Sequence, residues 1–389
     1  MKMIRFDQAF QDVTKDVTKI PRKEYLSHGR YPIVDQGDGK IAGYTNRNDG
    51  LYTDVPVVLF GDHTRVFKYV DFPFFAGADG TKILKARSGI DAHFGYYSFM
   101  QYPLISLGYS RHFKLLKERT FHTFDYATQL RIAGVLGSID EKIELNRKKI
   151  AELEALAKVI YDYWFVQFDF PDANGKPYKS SGGKMVWNEQ LKREVPEGWE
   201  VGPILNISEL KVGGTPSKKE VSYWNGNIPF WGPTDFKSGI FQFHTAETIT
   251  NMGFEHCSSD MLNEDATIIT ARGSIGKVAM AGRSMAMNQS CFAFEAYNNC
   301  SPFVYHLTRQ LVAHLKNTST GSVFNAFVAS DLKNVFLLLG DSHVRRAYSE
   351  LVQPMFDGIK AAVKTIDDLT GLRDSLLPLL MNGQVEMAG

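Results

Sequence analysis

Apolar positions along this chain repeat with two different periods. Between residues 129 and 165, Ile139, Ile143, Asn146, Ile150, Leu153, Ala157, Ile160 and Trp164 follow one another at alternating steps of four and three. That spacing, with one polar member, is the seam of a helix paired with another helix along its length. Glu144 with Lys148 and Glu154 with Lys158 stand four residues apart in the favourable order, which suits a solvated flank. A similar seam runs through Met355, Ile359, Ala362, Ile366, Leu369, Leu376 and Leu380. Met355, Ile366 and Leu380 lie at one constant offset, 216 positions, from Ile139, Ile150 and Trp164, so the chain reads as an internal duplication. Gly358, Gly371 and Pro378 fall inside the second seam and predict a weaker helix there.

Each seam follows a segment of short β-branched and aromatic runs punctuated by glycine and proline. The chain therefore divides into a globular segment 1–126, a central helix 127–168, a basic connection 169–200, a second globular segment 201–342 and a distal helix 343–383. The connection reads either as a linker or as an ordered hairpin. The predicted class is α+β: two globular domains joined by two long antiparallel helices that form a coiled-coil spacer, with a pseudo-twofold relation between the halves. Roughly 26 residues of seam at ~1.5 Å each give a spacer of about 40 Å. One turn of B-DNA, ~34–36 Å, is of similar length.

Composition narrows the class without changing the division. With 389 residues and 44% apolar content the chain is globular and long for one core. It has no apolar run near the ~20 residues that span a bilayer. Its opening MKMIRFDQAF is charged where a signal peptide needs an apolar stretch, so a soluble cytoplasmic protein is expected. Cys257, Cys291 and Cys300 are too scattered for a disulfide framework or a zinc site and read as small hydrophobes. The formal charge of +1 argues neither for nor against nucleic acid, because a basic face can sit on a neutral protein.

Local chemistry favours binding over catalysis. In GGTPSKKEVSYWNGNIPFWGPTDF, residues 213–236, small hydroxyl and basic residues including Thr215, Ser217 and Thr234 surround Tyr223, Trp224, Phe230, Trp231 and Phe236. Those aromatics fit either a core or a stacking surface. The run ATIIT leads into a glycine turn carrying Arg272, Ser274 and Lys277, and VPVVLF leads into one carrying His63, Thr64, Arg65 and Lys68. Arginine can fork onto guanine or clamp a phosphate, while Lys and Ser donate to phosphate oxygens. A hairpin tip with solvated charges is the plain alternative, weakened by the two turns standing at equivalent places. Asn288 and Gln289 in MNQSC suit adenine or a buried amide role equally. Ser322, with Tyr109, Arg111, His112 and Lys114 in the corresponding basic patch, and Gln36, Asn46 and Arg47 in a glycine-rich stretch, complete the candidate DNA-contacting set. No catalytic or metal residue is nominated. GSIGK lacks the Ser or Thr of a phosphate loop, having Val278 instead. Neither G-x-S-x-G nor H-E-x-x-H occurs, and Glu264 with Asp265 reads as a solvated pair.

These stretches, with YPIVDQGDGKIAGYT, TIITARGSIGKVAM, TGSVFNAFVASDLKNV and IDEKIELNRKKIAELEALAKVIYDYWFVQFDFP, resemble the DNA specificity subunits of type I restriction-modification systems over nearly the whole chain. The resemblance implies that each globular segment is a target recognition domain reading one half of a split double-stranded DNA sequence, with the helices setting the gap. It also implies docking of two methyltransferase subunits and of restriction-translocase subunits. S-adenosylmethionine, ATP and magnesium then belong to those partners, and this chain carries no cofactor. The competing reading is a non-catalytic scaffold that uses its helices for protein partners without reading DNA.

Overall fold

The computed structural model describes residues 2–77, 80–105, 108, 111–318 and 326–385. The chain forms two compact units, Met1–Glu144 with Asp367–Gly389, and Leu145–Ile366. The division falls within the two long helices.

The first unit begins β1 (Lys2–Arg5), α1 (Phe6–Ala9), β2 (Phe10–Asp12), β3 (Lys19–Ile20), β4 (Tyr31–Val34) and β5 (Gly43–Thr45). It continues β6 (Val57–Gly61), β7 (Phe67–Val70), β8 (Phe75–Gly77), β9 (Thr81–Ala86), α2 (Ala92–Gln101), α3 (Phe113–Lys117) and β10 (Thr120–Thr123), and α4 (Tyr126–Tyr161) starts within it. Its sheets run β2-β9-β6-β7 and β3-β8-β4-β5, with β1 paired to β10. The central strand β6 explains the uninterrupted apolar run VVLF. Val58 and Phe60 enter a cluster with Phe6, Phe10, Phe99 and Phe113, while Val57 and Leu59 enter another with Val34, Val70, Phe74 and Ile83. A strand buried on both faces does not alternate.

The second unit holds β11 (Met185–Asn188), β12 (Arg193–Pro196), β13 (Glu200–Gly202), β14 (Ser208–Val212), β15 (Trp224–Trp231), β16 (Phe241–Gln242), β17 (Glu247–Ile249), α5 (Asn251–Glu255), β18 (Thr267–Thr270) and β19 (Val278–Ala281). Then come β20 (Ala286–Met287), β21 (Cys291–Ala296), α6 (Ser301–Thr318), α7 (Ala329–Asn334), β22 (Leu337–Gly340) and the start of α8 (Ser342–Met381). The connection at 169–200 is an ordered hairpin, β11 against β12, with Phe165, Phe168, Phe170 and Trp199 in one aromatic cluster.

Strand order recurs between the units. The first unit's β2-β9-β6-β7 corresponds to β14-β21-β18-β19, to which β16 is added at the edge. Similarly, β8-β4-β5 corresponds to β20-β15-β17, with the same parallel and antiparallel senses. Val57 and Thr267, which open β6 and β18, lie 210 positions apart, as do Thr81 and Cys291, which open β9 and β21.

Both long helices are capped by aspartate. Asp125 Oδ1 accepts the Thr128 amide at 2.9 Å, and Asp341 Oδ1 accepts those of His343 and Val344 at 2.8 and 3.2 Å. The helices run antiparallel within each unit. In the first, Arg373 bridges Asp140 at 2.9 Å while Leu377, Leu380 and Met381 pack with Phe94, Ile132 and Leu136. In the second, Gly358 faces Leu153 and the Tyr348 hydroxyl donates to the Ala157 carbonyl at 3.2 Å. Ile139, Ile143, Ala157, Trp164, Ile359, Ala362 and Leu380 are buried, whereas Ile150, Leu153, Ile160, Met355, Ile366, Leu369 and Leu376 are half-buried.

The distal helix runs unbroken from Ser342 to Met381, although its glycines and proline predict a weaker one. Packing offsets the poor propensity of Gly358 and Pro378. A Cβ on Gly358 would come within 3.1 Å of Leu153, so glycine allows this approach, and the apolar cluster on either side of Pro378 secures the last turn. Among the described residues no helix is long and apolar enough to cross a membrane.

Candidate nucleic-acid interface

In the second unit four turns meet where β14, β15, β18 and β20 end. The Gly214 amide donates to the Met287 carbonyl at 3.0 Å, Asn288 N to Trp231 O at 2.9 Å, and Ala271 N to Ser290 O at 2.8 Å. A Cβ on Gly213 would collide with the Asn288 carbonyl, so only glycine lets these two turns touch. Across them the Thr215 hydroxyl donates to Gln289 Oε1. Asn288 points inward, its Oδ1 accepting the Ser290 amide at 3.0 Å. Asp235 ties the third turn by accepting the Gly232 amide at 2.8 Å, leaving Thr234 exposed on it. Ser217 is exposed nearby in sequence but serves Trp224, whose Nε1 donates to its carbonyl at 3.1 Å.

The turn after β18 is stiff. Thr270 Oγ1 donates to Ser274 O at 2.5 Å and accepts the Lys277 amide at 3.0 Å. Gly273 and Gly276 take φ of +74° and +73°, a region that favours glycine. Arg272 and Ser274 are exposed on this turn, and among the described residues the Arg272 guanidinium has neither an ion pair nor a hydrogen bond. The Lys277 ammonium lies 5.0 Å from the centre of the Phe236 ring. Trp231 and Phe230 are core, while Trp224 is half-buried under Lys218.

The equivalent turns of the first unit also converge. Thr64 Oγ1 donates to the Gln36 carbonyl at 2.6 Å, His63 N to Gln36 Oε1 at 3.3 Å, and Asp62 N to the Gly80 carbonyl at 2.7 Å. Arg65, with φ +64°, turns its guanidinium back onto the Leu104 carbonyl at 2.9 Å. Arg111 and Lys114 are exposed at and just before α3.

Several residues nominated from the sequence lie elsewhere. Lys68 is buried, and its ammonium donates to the carbonyls of Asp35 and Gly39 at 2.7 and 2.5 Å. Burial lowers its pKa, and Asp35 and Asp38 oppose that shift. It braces the 35–39 turn and has no surface to offer DNA. His112 is likewise fully buried, its ring on the Asp62 carbonyl at 3.0 Å. Asn46 and Arg47 follow β5 at the end where Thr45 pairs with Tyr31, whereas Gln36 lies beyond the opposite end of β4. They bind Arg30 N and Glu24 instead. Tyr109 and Ser322 lie outside the described residues. Glu264 and Asp265 are not merely solvated, since both bridge Lys360, at 2.9 and 2.6 Å. Burial raises the pKa of Asp265, partly offset by that lysine. Cys291 and Cys300 are buried thiols and Cys257 is half-buried.

Asp62 and Asp235, absent from the residues expected to matter, organise the turns. The Asp62 carboxylate accepts the Phe113 amide at 2.8 Å and so carries α3 to the site. The signal was an aspartate one and three positions after the turn glycines Gly61 and Gly232.

Comparison with known proteins gives a consistent set of similarities. Residues 196–338 match the model of the type I restriction modification DNA specificity domain. The specificity subunit of the type I restriction enzyme MjaIX from Methanocaldococcus jannaschii is 26% identical over 270 residues, covering 67% of this chain and 59% of that protein. The HindI specificity subunit from Haemophilus influenzae is 21% identical over 358 residues, covering 74% of this chain and 77% of that one. Among solved structures, the S subunit of a type I restriction-modification system from M. genitalium has the same fold, with a TM-score of 0.61 at 18% identity over 100% of this chain and 96% of that one.

Proposed function

We propose that this chain, which belongs with the type I restriction-modification specificity subunits through its DNA specificity domain at residues 196–338, selects a bipartite DNA target without itself catalysing a reaction. The observation that carries this reading is the recurrence, in both units, of the same strand ends gathering polar turns. In the second unit Arg272, Ser274, Thr234 and Gln289 stand on a scaffold already satisfied by its own backbone bonds, so their free donors can serve base edges and phosphates. Arg111 and Lys114, exposed beside the converging turns of Gln36, His63 and Thr64, form the counterpart set. The recurrent strand order supports a duplication, and different side chains on equivalent turns support two different half-sites.

The long helices, in this reading, form the coiled-coil spacer that sets the gap between half-sites, and their outer face docks two methyltransferase subunits. An apolar stripe left outside the core supports the docking. Leu156, Val159, Tyr163 and Val166 follow at steps of three and four, with Val159 61% exposed. Restriction-translocase subunits would complete the enzyme in the cytoplasm. S-adenosylmethionine, ATP and magnesium would be held by the partners.

Methylome sequencing of cells carrying this chain with its methyltransferase tests the function. A split motif with an adenine modified in each half is expected, and a methylome that does not depend on this chain would refute the reading. The spacer has its own test. Seven residues inserted after Leu145 and seven after Ala361 keep the seam in phase and add ~10 Å of helix. At ~3.4 Å per base pair, the methylated motif should gain about three base pairs of gap. Methylation retained at the original gap would mean that the helices do not set it.

A further inference from the structure

Beside the turn after β18, on the second unit, lies a groove of ≈ 500 Å³ whose lining includes Lys277, Arg309, Lys316, Glu154, Phe236 and Tyr305. Three cations reach it from two elements. Arg309 and Lys316 stand seven residues apart on α6, two turns along one face, which sets their backbones ~10 Å apart. That length is about three nucleotides of one strand measured along the duplex axis. Lys277 arrives from the turn itself, positioned over the Phe236 ring.

The cations are organised without being paired in salt bridges among the described residues. Lys316 lies across the turn glycine, where a Cβ on Gly276 would come within 2.7 Å of its Cε and 3.1 Å of its Nζ. Arg309 leans on Tyr305, its guanidinium 6.0 Å from the ring centre. Among the described residues none of the three is in an ion pair. Among the described lining residues the one carboxylate is Glu154, which accepts the Ile240 amide at 3.1 Å; burial raises its pKa, and that amide and the charge of Arg309 oppose the shift. The corresponding helix of the first unit, α2 with sequence AHFGYYSFMQ, carries neither lysine nor arginine. The feature belongs to one unit.

We propose that this groove binds successive phosphates of a DNA strand running past the Arg272 turn, with Lys277, Arg309 and Lys316 as the phosphate ligands. The inference rests on the DNA-reading function proposed above and adds to it a track that is blind to sequence.

The test uses the full chain in complex with its methyltransferase and the duplex target found by methylation mapping. The double variant Arg309→Ala/Lys316→Ala is compared with the wild type and with Arg309→Lys/Lys316→Arg, across a salt series and a panel of single-substituted duplexes. The slope of log K against log salt should become shallower by about 1–2, at ~0.9 for each phosphate that is no longer neutralised. Affinity should fall by one common factor on all duplexes, and the conservative variant should restore both. An unchanged slope, with or without weaker binding, overturns the groove, as does a loss confined to the cognate duplex. Failure of the wild-type complex to distinguish its target from other duplexes overturns the DNA-reading function itself, which separates the two failures.

Discussion

On the function proposed above, alanine in place of Arg272 is expected to weaken binding of the methyltransferase-loaded complex to its target by about 1–3 kcal/mol, and to relax selection at a single base pair of one half-site. Three features single this residue out. Its side chain is exposed and makes no bond of its own among the described residues, unlike Arg65, which is spent on the Leu104 carbonyl. Its backbone is pinned, since Ala271 is bonded on both sides and the turn closes through Thr270, so the guanidinium is presented from a fixed base. Its neighbour Gly273 adds no side chain to obstruct a base edge. Lys277→Ala should behave differently, weakening all duplexes alike and reducing the salt slope by about 0.9, because an ammonium over an aromatic ring meets a phosphate as a point charge. Binding to single-substituted duplexes at two salt concentrations separates the cases. If Arg272→Ala lowers affinity uniformly, it holds a phosphate and does not read a base.

Acid is expected to destabilise the second unit through His306. This ring is buried on α6, stacked on Tyr161 at 4.9 Å and edged by Tyr305, Tyr348 and Phe356, and its Nε2 has no hydrogen-bond partner among the described residues. Burial first, then the positive charges of Arg309 and Lys158, push its pKa down to about 3. In the unfolded chain it titrates near 6.5. Above that pH both states are neutral and the contribution is fully present. Between about 6.5 and 3 the unfolded chain binds one more proton, so stability falls by ~1.4 kcal/mol for each unit of acidification. At pH 5 the loss is about 2 kcal/mol. Urea unfolding of the wild type and of His306→Phe at pH 7 and pH 5 checks this. The variant should be much less acid-sensitive, and equal sensitivity would show that the imidazole is not what titrates.

The inward faces of the long helices were legible in the sequence because a step of three and four survives any detail of packing. Ile143 and Ile359 are buried, and Leu145 and Val159, off that rhythm, are exposed. What offsets Gly358 within the distal helix was not legible. Propensity counts Gly358 as a defect, whereas Leu153, about two hundred positions away, makes it a fit. The turns after β6 and β18 could be found as strand, glycine, cation, but the fate of each cation depended on what faced it. Lys68 shares the buried face of β7 with Val70, and the alternation in FKYV carried that information, overridden by the expectation that lysine seeks water. Asn46 and Arg47 were misplaced for another reason. Pairing register decides which end of a hairpin a residue occupies, and a single sequence does not state it.

The first unit takes its last structural layer from residues 367–385, which pack Leu377, Leu380 and Met381 onto Phe94, Ile132 and Leu136. Seen from the ribosome, this is a nested assembly. The early segment must wait for the whole of residues 145–366 to be made, on the order of tens of seconds at ~5–20 residues per second. Until then the residues that cover Phe94, Ile132 and Leu136 in the folded unit have not been made. The clusters around Phe10 and Val34 draw only on residues up to Phe121, so the wait falls on one face, that of Phe94, Ile132 and Leu136, which residues 367–385 cover.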